Sequence, residues 1–246
     1  MPKSLLHIAL LLLLPAISFG QDGGIMPDVN GGTWTSARLQ YQPNKYFRFN
    51  VEQQLRVGPK LAQFDRTFTE LSTRFTPVKN FDVDLGYRYL FRTNTTGLLT
   101  EQQRLQRWHF RAGYTFELDR LSFQVRVQWQ RRRELLRNTN KYLGDIRKYW
   151  RFRWVLGYNF KKWKLDPELG TELFIAGTER PRGQYSRMRV ALGTSYKLDK
   201  RHRIGIRYLF DRELVDWNPE LWHVLSLQYT YRIKRKKKRP QATSNE

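Results

Sequence analysis

Apolar and polar side chains alternate along this chain with a period of two, from Trp34 almost to Ile233. Phe47, Phe49, Val51, Gln53 and Leu55 interleave with Arg48, Asn50, Glu52, Gln54 and Arg56. Trp150, Phe152, Trp154, Leu156, Tyr158 and Phe160 interleave with Arg151, Arg153, Gly157 and Asn159. A two-residue period is strand spacing and gives each strand one apolar and one wet face. It predicts strands near 33–41, 46–57, 66–76, 81–93, 105–118, 121–133, 148–161, 163–175, 185–198, 202–213 and 222–233.

The links between these segments alternate in length. Short turns fall at Gln42 to Lys45, Pro77 to Asn80, Glu117 to Arg120, Lys161-Lys162 and Asp199 to Arg201. The other links carry Gly58-Pro59, Asn94 to Gly97, Arg137 to Gly144, Gly177 to Gly183 and Asp216 to Glu220. Such alternation fits antiparallel hairpins whose short turns line one rim and longer loops the other. The expected fold is therefore all-β, an antiparallel up-and-down transmembrane β-barrel. Leu121, Phe123, Val125, Val127 and Trp129 would supply roughly 20 Å of apolar height on a tilted strand. Bacterial single-chain barrels normally have an even strand number, whereas eleven strands would leave the first and last parallel. The expectation is ten to twelve strands with twelve favoured, the extra one coming from the Gly-rich residues 21–32, which could otherwise form a linker or thread the lumen.

The first twenty residues change the picture from fold to place. Lys3, an apolar run from Leu5 to Ile17 and the small residues of Ser18-Phe19-Gly20 read as a secretory signal peptide cut before Gln21. The organisation is then a signal at 1–20, a linker or missed strand at 21–32, a barrel at 33–233 and a basic tail at 234–246. Mean hydropathy is −0.69 and aromatic residues make up 15% of the chain. A barrel reconciles the two, because only alternate residues meet lipid and aromatic side chains form girdles at both interfaces. Without cysteine the chain has neither disulfides nor thiolate metal sites, and no cofactor is expected.

Charge is the largest chemical signal. The formal net charge is +23. Arg48, Arg56, Arg74, Arg88, Arg92, Arg111, Arg126, Arg151, Arg153, Arg189, Arg207 and Arg232 occupy lumen-parity positions, against Glu52, Glu70, Asp82, Asp84, Glu117, Glu168 and Glu172. Either the interior is plugged by guanidinium–carboxylate pairs, or the excess of arginine makes a narrow pore that favours anionic solutes. Arg131 and Arg133 continue the lipid-facing parity of Trp129 and are candidates for lipopolysaccharide phosphates. The run from Lys234 to Arg239 would face periplasmic polyanions or remain a solvated end. Export argues against a nucleic-acid partner.

Enzyme chemistry is the alternative, as a lipid hydrolase or acyl-modifying barrel. His109, His202 and His223 are the mature-chain bases, with Ser72, Ser122, Ser195 and Ser226 as wall nucleophiles. His223 and Ser226 have opposite parity, and His109 lies between Arg107 and Arg111. No nucleophile-elbow or zinc-helix motif occurs.

Gly32-Thr33-Trp34, Phe47 to Arg56 with Glu52 and Gln53, Phe64-Asp65-Arg66, Gly86-Tyr87-Arg88, Gly113-Tyr114 and Leu227 to Tyr231 together resemble the outer-membrane family called domain of unknown function 2490. The resemblance implies an outer-membrane barrel of Bacteroidetes-type bacteria with no established activity. It also implies delivery to the barrel assembly machinery, which reads a terminal aromatic-rich strand; Tyr229, Tyr231 and Ile233 supply that pattern, although thirteen residues, Lys234 to Glu246, follow it.

Overall fold

The computed structural model describes residues 28–58, 64–96, 99–135, 146–161, 163–177, 185–214 and 220–234. Among these residues there is no helix. Eleven strands run in chain order as β1 (Asp28–Gln42), β2 (Phe47–Val57), β3 (Phe64–Val78), β4 (Phe81–Thr96), β5 (Leu99–Leu118), β6 (Leu121–Leu135), β7 (Arg147–Tyr158), β8 (Leu165–Ala176), β9 (Tyr185–Lys197), β10 (His202–Glu213) and β11 (Glu220–Lys234). Each strand pairs with its sequence neighbours, and β1 pairs with β11, so the sheet closes on itself. The barrel has the expected class and lies within the expected range of strand number. The signal segment, the basic tail beyond Lys234 and the loop at 136–145 lie outside the described residues.

Two expectations are corrected at the seam. No twelfth strand is found among the described residues, and the barrel is not antiparallel throughout. Instead β1 and β11 run parallel from Asp28↔Glu220 to Gln42↔Lys234. Residues 28–32, expected as linker or missed strand, are the start of β1 itself. The physical reason is that a sheet edge exposes a row of unpaired N–H and C=O groups. Starting β1 at Asp28 lets it match all fifteen residues of β11, and the parallel ladder removes the last edge without another strand.

The turns explain why the remaining pairs are antiparallel. Asn80 and Asp119 take left-handed φ values of 68° and 49° at the β3–β4 and β5–β6 turns. Asn and Asp tolerate that region better than other non-glycine residues. Asn44 and Asp199 each accept two backbone N–H groups through a side-chain oxygen, closing the β1–β2 and β9–β10 turns. These connections and the end of β11 form one rim, the turn rim. The start of β1 and the opposite strand ends mark the other, the loop rim.

Burial is inverted relative to a water-soluble barrel. Outward positions are exposed and apolar: Phe49, Leu71, Leu85, Phe110, Leu192 and Ile206 are each at least 43% exposed. Inward positions are buried and polar, including Glu52, Glu70, Asp84, His109, Gln128, Glu172 and Asp211. The expected outward series Leu121, Phe123, Val125, Val127 and Trp129 alternates with the inward Gln128 and Gln130, both 7% exposed.

The seam gives a test of closure. A Cβ added at Gly32 would sit 2.8 Å from the Val57 carbonyl oxygen, whereas at Gly31 the nearest atom is 4.0 Å away. Gly32→Val should cost about 1–3 kcal/mol of stability through backbone displacement, while Gly31→Ala is tolerated. Heat-modifiable electrophoretic mobility after refolding distinguishes them; equal folded fractions would contradict the seam geometry.

Candidate functional site in the barrel lumen

The inward parity of β3, β4 and β5 places Glu70, Asp84, Arg88, His109 and Arg111 on adjacent strands. Glu70 is the centre of this group. One carboxylate oxygen accepts Arg88 Nε at 2.7 Å and the other accepts Arg111 Nη2 at 3.0 Å. His109 Nε2 lies 3.4 Å from Asp84 and 3.9 Å from Glu70, and it also meets the Arg111 guanidinium. The ring fits because Gly86 has no side chain: a Cβ there would stand 2.3 Å from the imidazole. Arg111 Nε approaches Asp84 Oδ1 to 3.1 Å as an ion pair without hydrogen-bond alignment.

A second group forms on the opposite wall. Glu172 on β8 accepts Arg151 Nη2 at 2.7 Å and contacts Arg189 at 3.5 Å. Arg189 also bonds Asp211 at 2.5 Å. Arg187 pairs with Glu213 and approaches Asp211 at 3.7 Å. Glu172 and Asp211 thus each serve two guanidiniums, which the planar fork of arginine permits.

Between the two groups lies a layer of aromatic rings and guanidiniums. The Arg88 Cζ stands 3.4 Å from the Phe68 ring centroid, and Arg151 stands 4.5 Å from Phe174. Trp34 is approached by Arg56 at 3.7 Å and by Arg189 at 5.2 Å. Arg189 belongs to β9, three strands from β1 in the ring. The contact therefore spans a chord of the barrel. Phe68, Leu90 and Leu105 add an apolar cluster on the neighbouring wall. This layer is the waist of the lumen.

Of the arginines expected in the lumen, Arg74, Arg88, Arg111, Arg151, Arg189 and Arg207 form ion pairs with Asp82 and Asp84, Glu70, Glu172, Asp211 or Glu168. Arg56 bonds Gln54 and stacks on Trp34. Among the described residues Arg126 and Arg232 bond neutral amides alone, Gln124 at 3.1 Å and Gln40 at 2.9 Å. Arg153 is in register with Glu172, and Arg48 and Arg92 each keep a buried Nε without a hydrogen bond. Glu117, expected inside, is exposed at the turn rim. Arg131 and Arg133 share the outward parity of Trp129, with Arg131 in register with Trp108.

The catalytic candidates separate. Ser72 and His109 share a lumen row through Gly86, but the Ser72 hydroxyl accepts the Asn50 amide at 3.2 Å, and His109 contacts carboxylates and Arg111. His202 bonds Tyr229 and His223 bonds Tyr208 on the outer face. Among the described residues no group of His, Asp and Glu has metal-binding geometry.

Sequence parity missed several members. Asp211 and Glu213 continue the inward series from Arg207, and Arg38, Arg187 and Arg203 belong to the same face; extending the two-residue period would have found them. Trp34, Phe68 and Phe174 were hidden because aromatic residues read as lipid-facing.

The family model described as Protein of unknown function (DUF2490) matches residues 31–217. The chain belongs to this family. The match runs from β1 through β10, so the Leu227 to Tyr231 segment that also resembles the family lies beyond it. No curated protein matches the chain. For this DUF2490 member the lumen network is thus the most developed chemistry that the described residues display.

Glu70→Gln should be costly. It leaves Arg88 and Arg111 short of their shared charge partner, a loss of about 3–5 kcal/mol for a buried pair. Glu117→Gln at the exposed rim should change stability by less than about 0.5 kcal/mol. Urea midpoints of the detergent-folded barrel provide the comparison, and similar midpoints would argue against Glu70 as the hub.

Proposed function

We propose that this protein is an exported outer-membrane barrel with a structural or envelope-interacting role, non-enzymatic, and closed to through-flow at its waist. Support for the membrane reading comes from the exposed apolar exterior, the closed edge and the buried polar interior. Arg131 and Arg133, outward beyond Trp129, are suited to lipopolysaccharide phosphates. Tyr229, Tyr231 and Ile233 on β11 offer the pattern read by the assembly machinery.

One observation carries the closed lumen. The Trp34 ring is gripped by Arg56 and by Arg189, three strands away in the ring, while Glu70 and Glu172 hold the neighbouring arginines Arg88, Arg111, Arg151 and Arg189. An aqueous path of porin width does not fit a barrel of this strand number with such a filling. The narrow anion-favouring pore is the second reading, favoured by arginines that no acid neutralises. The lipid-hydrolase alternative has less support, since His109 is 2% exposed and its neighbours are carboxylates and a guanidinium.

Planar-bilayer recording separates these readings. The refolded chain should give no discrete conductance steps, whereas Trp34→Ala combined with Phe174→Ala should open small, anion-selective ones. Steady steps from the unaltered protein, falling when Arg151 and Arg153 become Gln, would replace the closed barrel with the pore. A change in the envelope lipid profile on replacing His109, His202 and His223 together would support the enzyme.

A further inference from the structure

The arginines are not compensated evenly along the barrel. At the waist Arg88, Arg151 and Arg189 each have an acid, while Arg56 rests on Gln54 and the Trp34 ring. Below it, towards the turn rim, Arg48, Arg74, Arg126, Arg203 and Arg232 face inward from β2, β3, β6, β10 and β11. Arg48 and Arg74 are direct register partners. Arg74, Arg232 and Arg203 repel the Arg48 charge, and Asp82 attracts it. Arg74 holds Asp82 and Asp84, both at 3.7 Å, and Asp84 is shared again with Arg111. Among the described residues neither Arg48 nor Arg203 has an ion pair, and Arg48 Nε is buried without a hydrogen bond.

Five inward guanidiniums from separate strands, set against carboxylates already held by other cations (Asp82 and Asp84 by Arg74, Asp166 by Lys197, Glu168 by Arg207), make this half of the lumen an electropositive chamber. Like charges placed so closely destabilise the fold unless an anion joins them. All five residues remain part-exposed, with the Arg74 side chain at 24%. Guanidinium forks match tetrahedral phosphate oxygens and bind them bidentately. Several forks around one space favour a multiply charged phosphate over a single carboxylate.

We infer that the turn-rim half of the lumen is a binding site for a phosphate-bearing anion, held by Arg48, Arg203 and Arg232 with Arg74 and Arg126 behind them. This inference rests on the closed waist, which makes the chamber a pocket with one mouth. The phosphate reaches it as a soluble anion or as a lipid headgroup at the rim.

The test is calorimetric titration of inorganic pyrophosphate into the full-length chain folded in zwitterionic detergent at low ionic strength. Saturable binding is expected, weakened at least tenfold in Arg48→Gln/Arg203→Gln and unchanged in Arg92→Gln at the loop rim. Because the double substitution removes only unpaired charge, that variant should fold, with an unliganded thermal midpoint at or above that of the parent and no pyrophosphate-induced rise. Displacement by phosphatidylglycerol assigns the cellular ligand to a headgroup; persistence of binding assigns it to a soluble phosphate. Absence of saturable binding to the folded parent, or equal weakening in Arg92→Gln, overturns the site. Binding that persists in a conducting barrel would keep this site and refute only the closed waist.

Discussion

A sheet whose outer surface is apolar cannot leave backbone groups unpaired, and the parallel ladder between β1 and β11 is what meets that constraint. Everything inside follows from it. Closure fixes which alternate residue of every strand points inward, and so brings Glu70, Glu172 and Asp211 into a shared interior with an excess of arginine. With an open edge, the same strands would place these charges on a solvated face, where an ion pair contributes little. Closure also explains the odd strand number. Parallel pairing needs no matching hairpin, so a strand beginning at Asp28 can finish the ring from the loop rim.

The interior solves a charge problem in two different ways. At the waist, Glu70, Glu172 and Asp211 are each divided between two guanidiniums, and aromatic faces take up cation surface that acids do not reach, as in Arg56 on Trp34 and Arg88 on Phe68. Towards the turn rim that strategy stops. Arg126 and Arg232 turn to the amide oxygens of Gln124 and Gln40, neutral acceptors that orient a guanidinium without cancelling its charge. The transition from paired to unpaired arginine occurs within single strands: among the described residues β7 carries Arg151 in an ion pair and Arg153 outside one. Such a gradient is a property of position along the axis rather than of residue composition.

The fold was largely legible because period-two alternation is a local signal, written into each strand without reference to its partners. Residues such as Phe47 to Leu55 and Leu121 to Trp129 declared their faces directly. The start of β1 was missed for an equally local reason. Residues 28–32, Asp-Val-Asn-Gly-Gly, carry turn-forming chemistry and no outward aromatic, so only the pairing with Glu220 to Val224 reveals them as strand.

The candidate site was legible in membership and not in assembly. Parity identified Arg88, Arg111, Arg151 and Arg189 as inward, yet it could not say which would share an acid, since that depends on register and on the stagger of strands around the ring. The Arg111–Glu70 bond skips over β4, and the Trp34–Arg189 contact joins the first strand to the ninth. Such chords exist only once barrel radius and strand tilt are set together. An inward tryptophan is unreadable for the same reason: on one strand Trp34 looks like an interfacial anchor, and only the arrival of Arg56 from the neighbouring strand and Arg189 from three strands away makes it the piece that fills the waist.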